Sequence, residues 1–95
     1  MKVIELKTGM RNVNVEGTIV NKGEPRQVQT RFGESTVADA FLKDDSGSIK
    51  MSLWNEQIDS FKENVEVRIE NGYITSFRGE AQLNVGRTDG RIIPK

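Results

Sequence analysis

The chain contains no cysteine and no histidine. The first absence removes disulfides, thiolate nucleophiles and cysteine-ligated zinc. The second removes the usual general base and the commonest metal ligand. No apolar run approaches the about 20 residues of a membrane-spanning helix, and the N-terminus lacks the apolar core of a signal peptide. Neither sign of charge prevails. Fourteen Lys and Arg balance 14 Asp and Glu, so an anionic partner would have to be held by local placement of charge. These absences point to a soluble, cytoplasmic, non-catalytic module without cofactor or metal.

What is present suffices for one small core. Val, Ile, Leu and Phe fill about a quarter of the 95 positions, above the roughly 20% below which chains stay disordered. Period-2 alternation dominates. Asn12 to Val20 reads as a first strand, with Val13, Val15 and Ile19 among polar neighbours. Gly23 and Pro25 predict a bend before Arg26 to Thr30 extends it. Arg31-Phe32-Gly33-Glu34 makes a loop, and Thr36 to Lys43 a second strand. Asp44-Asp45-Ser46-Gly47-Ser48 is a turn, because Asp and Ser bond their own backbone and Gly accepts positive φ. Ile49 to Trp54 follows as a third strand. Asn55 to Lys62 suits one or two helical turns, with Asn55 as N-cap and Ile58 and Phe61 on one face. Val65 to Phe77 is a long fourth strand, Arg78-Gly79-Glu80 a turn and Ala81 to Val85 a fifth strand. Five strands with a short helix between the third and fourth is the order of an all-β OB-fold, a small Greek-key barrel. An SH3-like barrel, the main competitor, would carry its helical turn later. The domain is expected over residues 1–87. Residues 88–95 form a polar tail whose Ile92 and Ile93 pack on the barrel or on a neighbour.

Alternation assigns faces. Ile49, Met51 and Leu53 must point to the core, which leaves Lys50, Ser52 and Trp54 on the outer side of the third strand. Trp54 there is either covered by the helix or tail, or is a stacking platform. In the fourth strand Val65, Val67 and Ile69 are expected inside, and Asn71-Gly72 offers a bulge that shifts the alternation by one. Past a bulge, Ile74 turns inward and Tyr73, Thr75 and Phe77 outward; without it, Tyr73 and Phe77 belong to the core. Aromatics interleaved with cations on one face suit single-stranded nucleic acid, whose unpaired bases expose their π faces. Among the cations, Arg26, Arg31 and Arg78 flank the expected face or its loops, and Lys50 lies on it. Phe32 at a loop tip either folds back or clamps a base, and Phe41 extends the surface. Asp39 on the same side would repel phosphate, or accept a bond from a base amino group.

The chain resembles the OB domain of archaeal single-stranded DNA-binding proteins, a group similar to the SOSS-B and RPA domains. The resemblance rests on Met10 to Val15, Arg26 to Arg31, Asp44 to Trp54 and Asn71 to Arg87, in that order. It implies non-sequence-specific binding of single-stranded DNA in replication, repair or recombination. Trp54, Tyr73 and Phe77 would stack on bases, with Arg26, Thr30 and Arg31 lining the groove. Some relatives carry another aromatic in the fifth strand, where this chain has Asn84. A monomer is expected, with replication or repair proteins as partners and no membrane.

Two other readings stand beside this one. The first is an RNA-binding OB domain, since a stacking face tolerates both sugars. The second is an interaction subunit in which the three aromatics anchor a protein interface. Asp39, Asp44 and Asp45 are the acids available for Mg²⁺ and an enzymatic role, but the turn gives Asp44 and Asp45 a plainer task in backbone bonding.

Overall fold

The period-2 segments fold as strands. The computed structural model describes residues 1–31, 33–86 and 90–95. A 3-10 turn at Val3–Glu5 precedes β1 (Val13–Val20), β2 (Arg26–Thr30), β3 (Gly33–Asp44) and β4 (Gly47–Trp54). A short helix, α1 (Glu56–Ser60), leads to β5 (Glu66–Phe77), β6 (Glu80–Asn84) and β7 (Arg91–Pro94). β1 pairs with β3, β3 with β4, β4 with β6, β6 with β5, and β5 again with β1. That ring is the five-stranded OB barrel, with its one parallel contact between β4 and β6. β2 folds onto β3 as a hairpin arm, and β7 adds to β5.

Closing so small a ring needs sharp strand coiling. At Thr18 β1 passes from pairing with β5 to pairing with β3, and a Cβ on the preceding Gly17 would lie 2.8 Å from the Lys43 carbonyl oxygen. On β5, Val15 faces Ile69 while Val13 faces Gly72, so two steps of β1 oppose three of β5. The extra residue is the bulge expected at Asn71-Gly72, with Asn71 at φ 56°. Beyond it Ile74 is buried and Tyr73, Thr75 and Phe77 are exposed.

The barrel is filled by alternate residues of every ring strand, among them Val15, Leu42, Met51, Val67, Ile69 and Leu83. Ile58 and Phe61 join the core from α1 and its C-terminal boundary, as the i, i+3 spacing predicts. The helix makes between one and two turns, as expected, and Asn55 stands at its N-cap position, but the Asn55 side chain makes no capping bond. Asn55 sits at φ 51° and turns back to β3, accepting the Thr36 N–H at 3.0 Å while its own N–H donates to the Thr36 carbonyl at 2.8 Å. The far end of the helix is closed by Lys22, whose ammonium donates to the carbonyls of Ile58 and Phe61. Val65, expected inside, is only half-buried.

Asp44 plays the turn role its position suggests. One carboxylate oxygen accepts the Ser46 hydroxyl at 2.6 Å and the N–H groups of Ser46 and Gly47, and the other accepts the Val3 N–H at 2.9 Å. The Ser46 hydroxyl first, and then the Val3 N–H, hold its pKa down to about 2. Residues 91–94 do not trail away. Ile92 lies opposite Ile69 and packs against the core.

Candidate nucleic-acid interface

Register brings the outward side chains of β3, β4, β6 and β5 onto one surface. Phe41 lies opposite Lys50, Asp39 opposite Ser52 and Val37 opposite Trp54. Lys50 pairs with Gln82 across the parallel contact, and Gln82, Asn84 and Glu80 face Thr75, Tyr73 and Phe77. The β2 arm adds Arg26, Val28 and Thr30 to the same side, because Arg26 lies opposite Val37 and Thr30 opposite Gly33.

Trp54 ends β4 half-buried, held by its backbone. Its N–H donates to Gln57 Oε1 at 2.9 Å, and the neighbouring Asn55 is locked to Thr36 on both sides. The helix therefore braces the corner that carries the indole. On β5, Tyr73 is 42% and Phe77 53% exposed, among the large apolar residues most open to water. Four residues of extended strand put them about 13 Å apart, far enough for each ring to take its own base.

Between the aromatics the floor is polar and internally bonded. Gln82 donates through Nε2 to the Ser52 hydroxyl, and Asn84 donates to Thr75 Oγ1 at 2.9 Å. Ser52 is thereby buried without an orphaned group. Asn84 is part of this floor.

Cations crowd Phe77. Arg78 and Gly79 both have positive φ in the two-residue turn joining β5 to β6, the backbone that matches strand twist in tight hairpins. This turn sets the Arg78 guanidinium 5.3 Å from the Phe77 ring centre, and Lys50 Nζ lies 5.9 Å from it. Lys50 also lies 3.8 Å from Asp39, which takes Arg26 Nη1 at 3.0 Å.

Among the expected site residues, Trp54, Tyr73, Phe77, Lys50, Arg26 and Arg78 thus meet on one face. Phe41 is half-buried at its lower edge, beside Ile4, Ser48 and Ala81. Thr30 stands out on the arm, its hydroxyl donating to the Gly33 carbonyl at 2.7 Å, and Arg31 is exposed at the arm's turn. Phe32 lies outside the described residues, as does the cation Arg87. Two further cations are engaged elsewhere, Lys22 on α1 and Arg68 with Glu16 and Glu70.

One cation escaped the sequence reading. Hydrogen bonds from Gly9 N–H to the Ile74 carbonyl and from Ile74 N–H to the Met10 carbonyl, both 2.9 Å, sew the N-terminal segment to β5. They bring Arg11 beside Tyr73, where both line a cleft of about 350 Å³ with Asn12, Asn71, Gly72, Gly86 and Gly90. No local signal in the sequence announces this, since it depends on a pairing between residues more than sixty apart. No group of acids suited to a metal ion occurs among the described residues, and no helix among them is long and apolar enough to cross a membrane.

Residues 3–93 match the family model described as single-stranded DNA binding protein Ssb-like, OB fold. The single-stranded DNA binding protein Ssb of Saccharolobus solfataricus is 41% identical over 85 residues, covering 90% of this chain and 57% of that protein. Replication factor A of Methanothermobacter thermautotrophicus is 30% identical over 94 residues, covering 98% of this chain and 12% of that protein. The chain therefore spans little more than half of one relative and about an eighth of the other. In fold it is similar to an OB domain from Thermoplasma acidophilum, with a TM-score of 0.87, 23% identity and coverage of 100% of this chain and 85% of that one.

Proposed function

The chain belongs to the Ssb-like, OB-fold family of single-stranded DNA-binding proteins, and we propose that it binds single-stranded DNA by stacking bases on Trp54, Tyr73 and Phe77. The observation that carries this reading is the joint exposure of Tyr73 and Phe77 on the face that also holds Trp54. Exposed rings cost hydration free energy in the free protein, and a stacked base recovers it at roughly 1–3 kcal/mol each, whatever its sequence. Duplex bases are already stacked, so the face selects single strands.

Phosphates are served from the rim. Arg78 and Lys50 beside Phe77, Arg26 across β3 from Trp54, Arg31 and Thr30 on the β2 arm, and Arg11 in the cleft beside Tyr73 together outline a path across the sheet. Phe41 extends it at the lower edge. The likeness to proteins named single-stranded DNA binding protein and replication factor A supports a role in DNA replication, repair or recombination. We further propose replication or repair proteins as its partners, with the chain acting as a monomer in the cytoplasm.

The test is binding of a fluorescently labelled deoxythymidine oligomer followed by anisotropy, with duplex DNA and a matched RNA as controls. The expected result is tight binding of the single strand, much weaker binding of the duplex, and loss of affinity in Trp54→Ala, Tyr73→Ala and Phe77→Ala. Equal affinity for duplex and single strand, or three alanine variants that bind like the parent, would overturn it.

A further inference from the structure

The cations of this face are not equally free. Arg26 and Lys50 come from β2 and β4, on either side of β3, and both reach the same oxygen, Oδ2 of Asp39, at 3.0 and 3.8 Å. Register explains the meeting. Asp39 is two residues from Val37, the partner of Arg26, and two from Phe41, the partner of Lys50. A carboxylate on a surface suited to polyanions is repulsive unless it is held, and here two cations from flanking strands hold it. Lys50 also lies over Phe77, so this anion position adjoins a stacking ring.

We propose that Arg26 and Lys50 form a phosphodiester subsite which the Asp39 carboxylate fills in the free protein, and that a phosphate of the bound strand displaces it. This rests on the reading of the face as a single-strand surface. An oxygen between an arginine and a lysine, at the edge of a ring that takes a base, occupies the place a backbone phosphate oxygen requires. Binding then exchanges one anion for another. The expelled carboxylate repels the incoming strand and regains a counterion from solution. Net ion release is therefore smaller than the number of cations on the face implies. Single-strand binding follows salt with a slope of about −0.7 per phosphate neutralised, and Asp39 offsets about one such contact. The carboxylate keeps two long side chains ordered while it weakens and flattens the salt response of binding.

Asp39→Asn keeps the shape and removes the charge. Labelled deoxythymidine oligomer is titrated by anisotropy over a series of salt concentrations, with a thermal melt to verify folding. Glu80→Gln, the same charge change opposite Phe77 on the same face, is the control. The proposal expects Asp39→Asn to bind about two- to ten-fold tighter at low salt. Its salt slope should be steeper than the parent's by about 0.7, and both changes should exceed those of Glu80→Gln. It further expects Arg26→Ala to weaken the Asp39→Asn protein more than it weakens the parent, a non-additivity that marks a shared partner. If Asp39→Asn fails to fold, Asp39→Ser reads the same change. Unchanged or weaker binding, an unchanged slope, or an effect matched by Glu80→Gln would overturn the proposal. Failure of the underlying reading looks different: the parent would not bind the oligomer, or Trp54→Ala would bind as the parent does.

Discussion

The two halves of β5 make different use of the same strand. From Glu66 to Glu70 the outward side chains belong to a wall of ion pairs. Arg68 lies 3.4 Å from Glu16 and 3.8 Å from Glu70, and Lys95 lies 3.3 Å from Glu16. Lys95 first, and then Arg68, hold the Glu16 carboxyl below its usual range. From Gly72 to Phe77 the outward side chains are Tyr73, Thr75 and Phe77, and the cations near Phe77 sit over its ring, Lys50 also reaching the Asp39 carboxylate. The bulge at Asn71 divides the two. Pairing with β1 ends just past it at Gly72, pairing with β6 begins at Tyr73, and the extra residue turns the aromatics out of the core. A local backbone feature thus separates a wall that satisfies its own charges from a face that presents rings to water.

Deleting Asn71 should break that division most severely. The register beyond it would flip, driving Tyr73 and Phe77 inward and Ile74 outward, and a one-residue slip inverts every side chain of the strand. The expected outcome is loss of a cooperative thermal transition, read by circular dichroism. Next in size come the stacking residues. Trp54→Ala should weaken oligomer binding by roughly 1–3 kcal/mol, about five- to 150-fold, with Tyr73→Ala and Phe77→Ala in the same range. The melting temperatures of Tyr73→Ala and Phe77→Ala should stay near the parent's, because neither ring on β5 is buried.

A smaller effect is expected at the β3–β4 turn. The Asp44 carboxyl has a pKa of about 2 in the folded chain against 3.8 as its ordinary value. A lowered pKa contributes stability that is complete above the ordinary value and is lost as pH falls from about 4 toward 2. Asp44→Asn should melt lower than the parent at neutral pH, with the gap closing over that acid range. The smallest effect belongs to the wall. Arg68→Ala should cost under about 1 kcal/mol, since exposed ion pairs contribute little, and should leave oligomer affinity unchanged. A clear loss of binding in Arg68→Ala would erase the distinction between the two halves of β5.

Much of this was readable before any coordinates. Strand faces followed from alternation, the break in β5 from Asn-Gly, and the outward Trp54 from its apolar neighbours at Met51 and Leu53. The barrel followed from the strand order and the position of the helix. What escaped was set by pairings distant in sequence. Asp39 looked like an objection to phosphate binding until the register placed Arg26 and Lys50 on either side of it. Arg11 drew no assignment from the sequence, because the hydrogen bonds that bring it to Tyr73 join Gly9 and Met10 to Ile74. Asn55 stands at the N-cap position the sequence suggested, yet its side chain accepts the Thr36 N–H instead of capping the helix and so locks the end of β4. Lys22, far from the helix in sequence, is its C-terminal partner. Short-range chemistry specified elements and faces, and long-range register decided which charges meet.

The most direct test of the stacking face uses the chain's single tryptophan. Intrinsic fluorescence is followed while deoxythymidine oligomer is added, alongside anisotropy of the same labelled strand. Stacking on Trp54 predicts strong quenching that saturates together with binding and is absent with duplex DNA. Binding of the single strand with no change in tryptophan emission would contradict it.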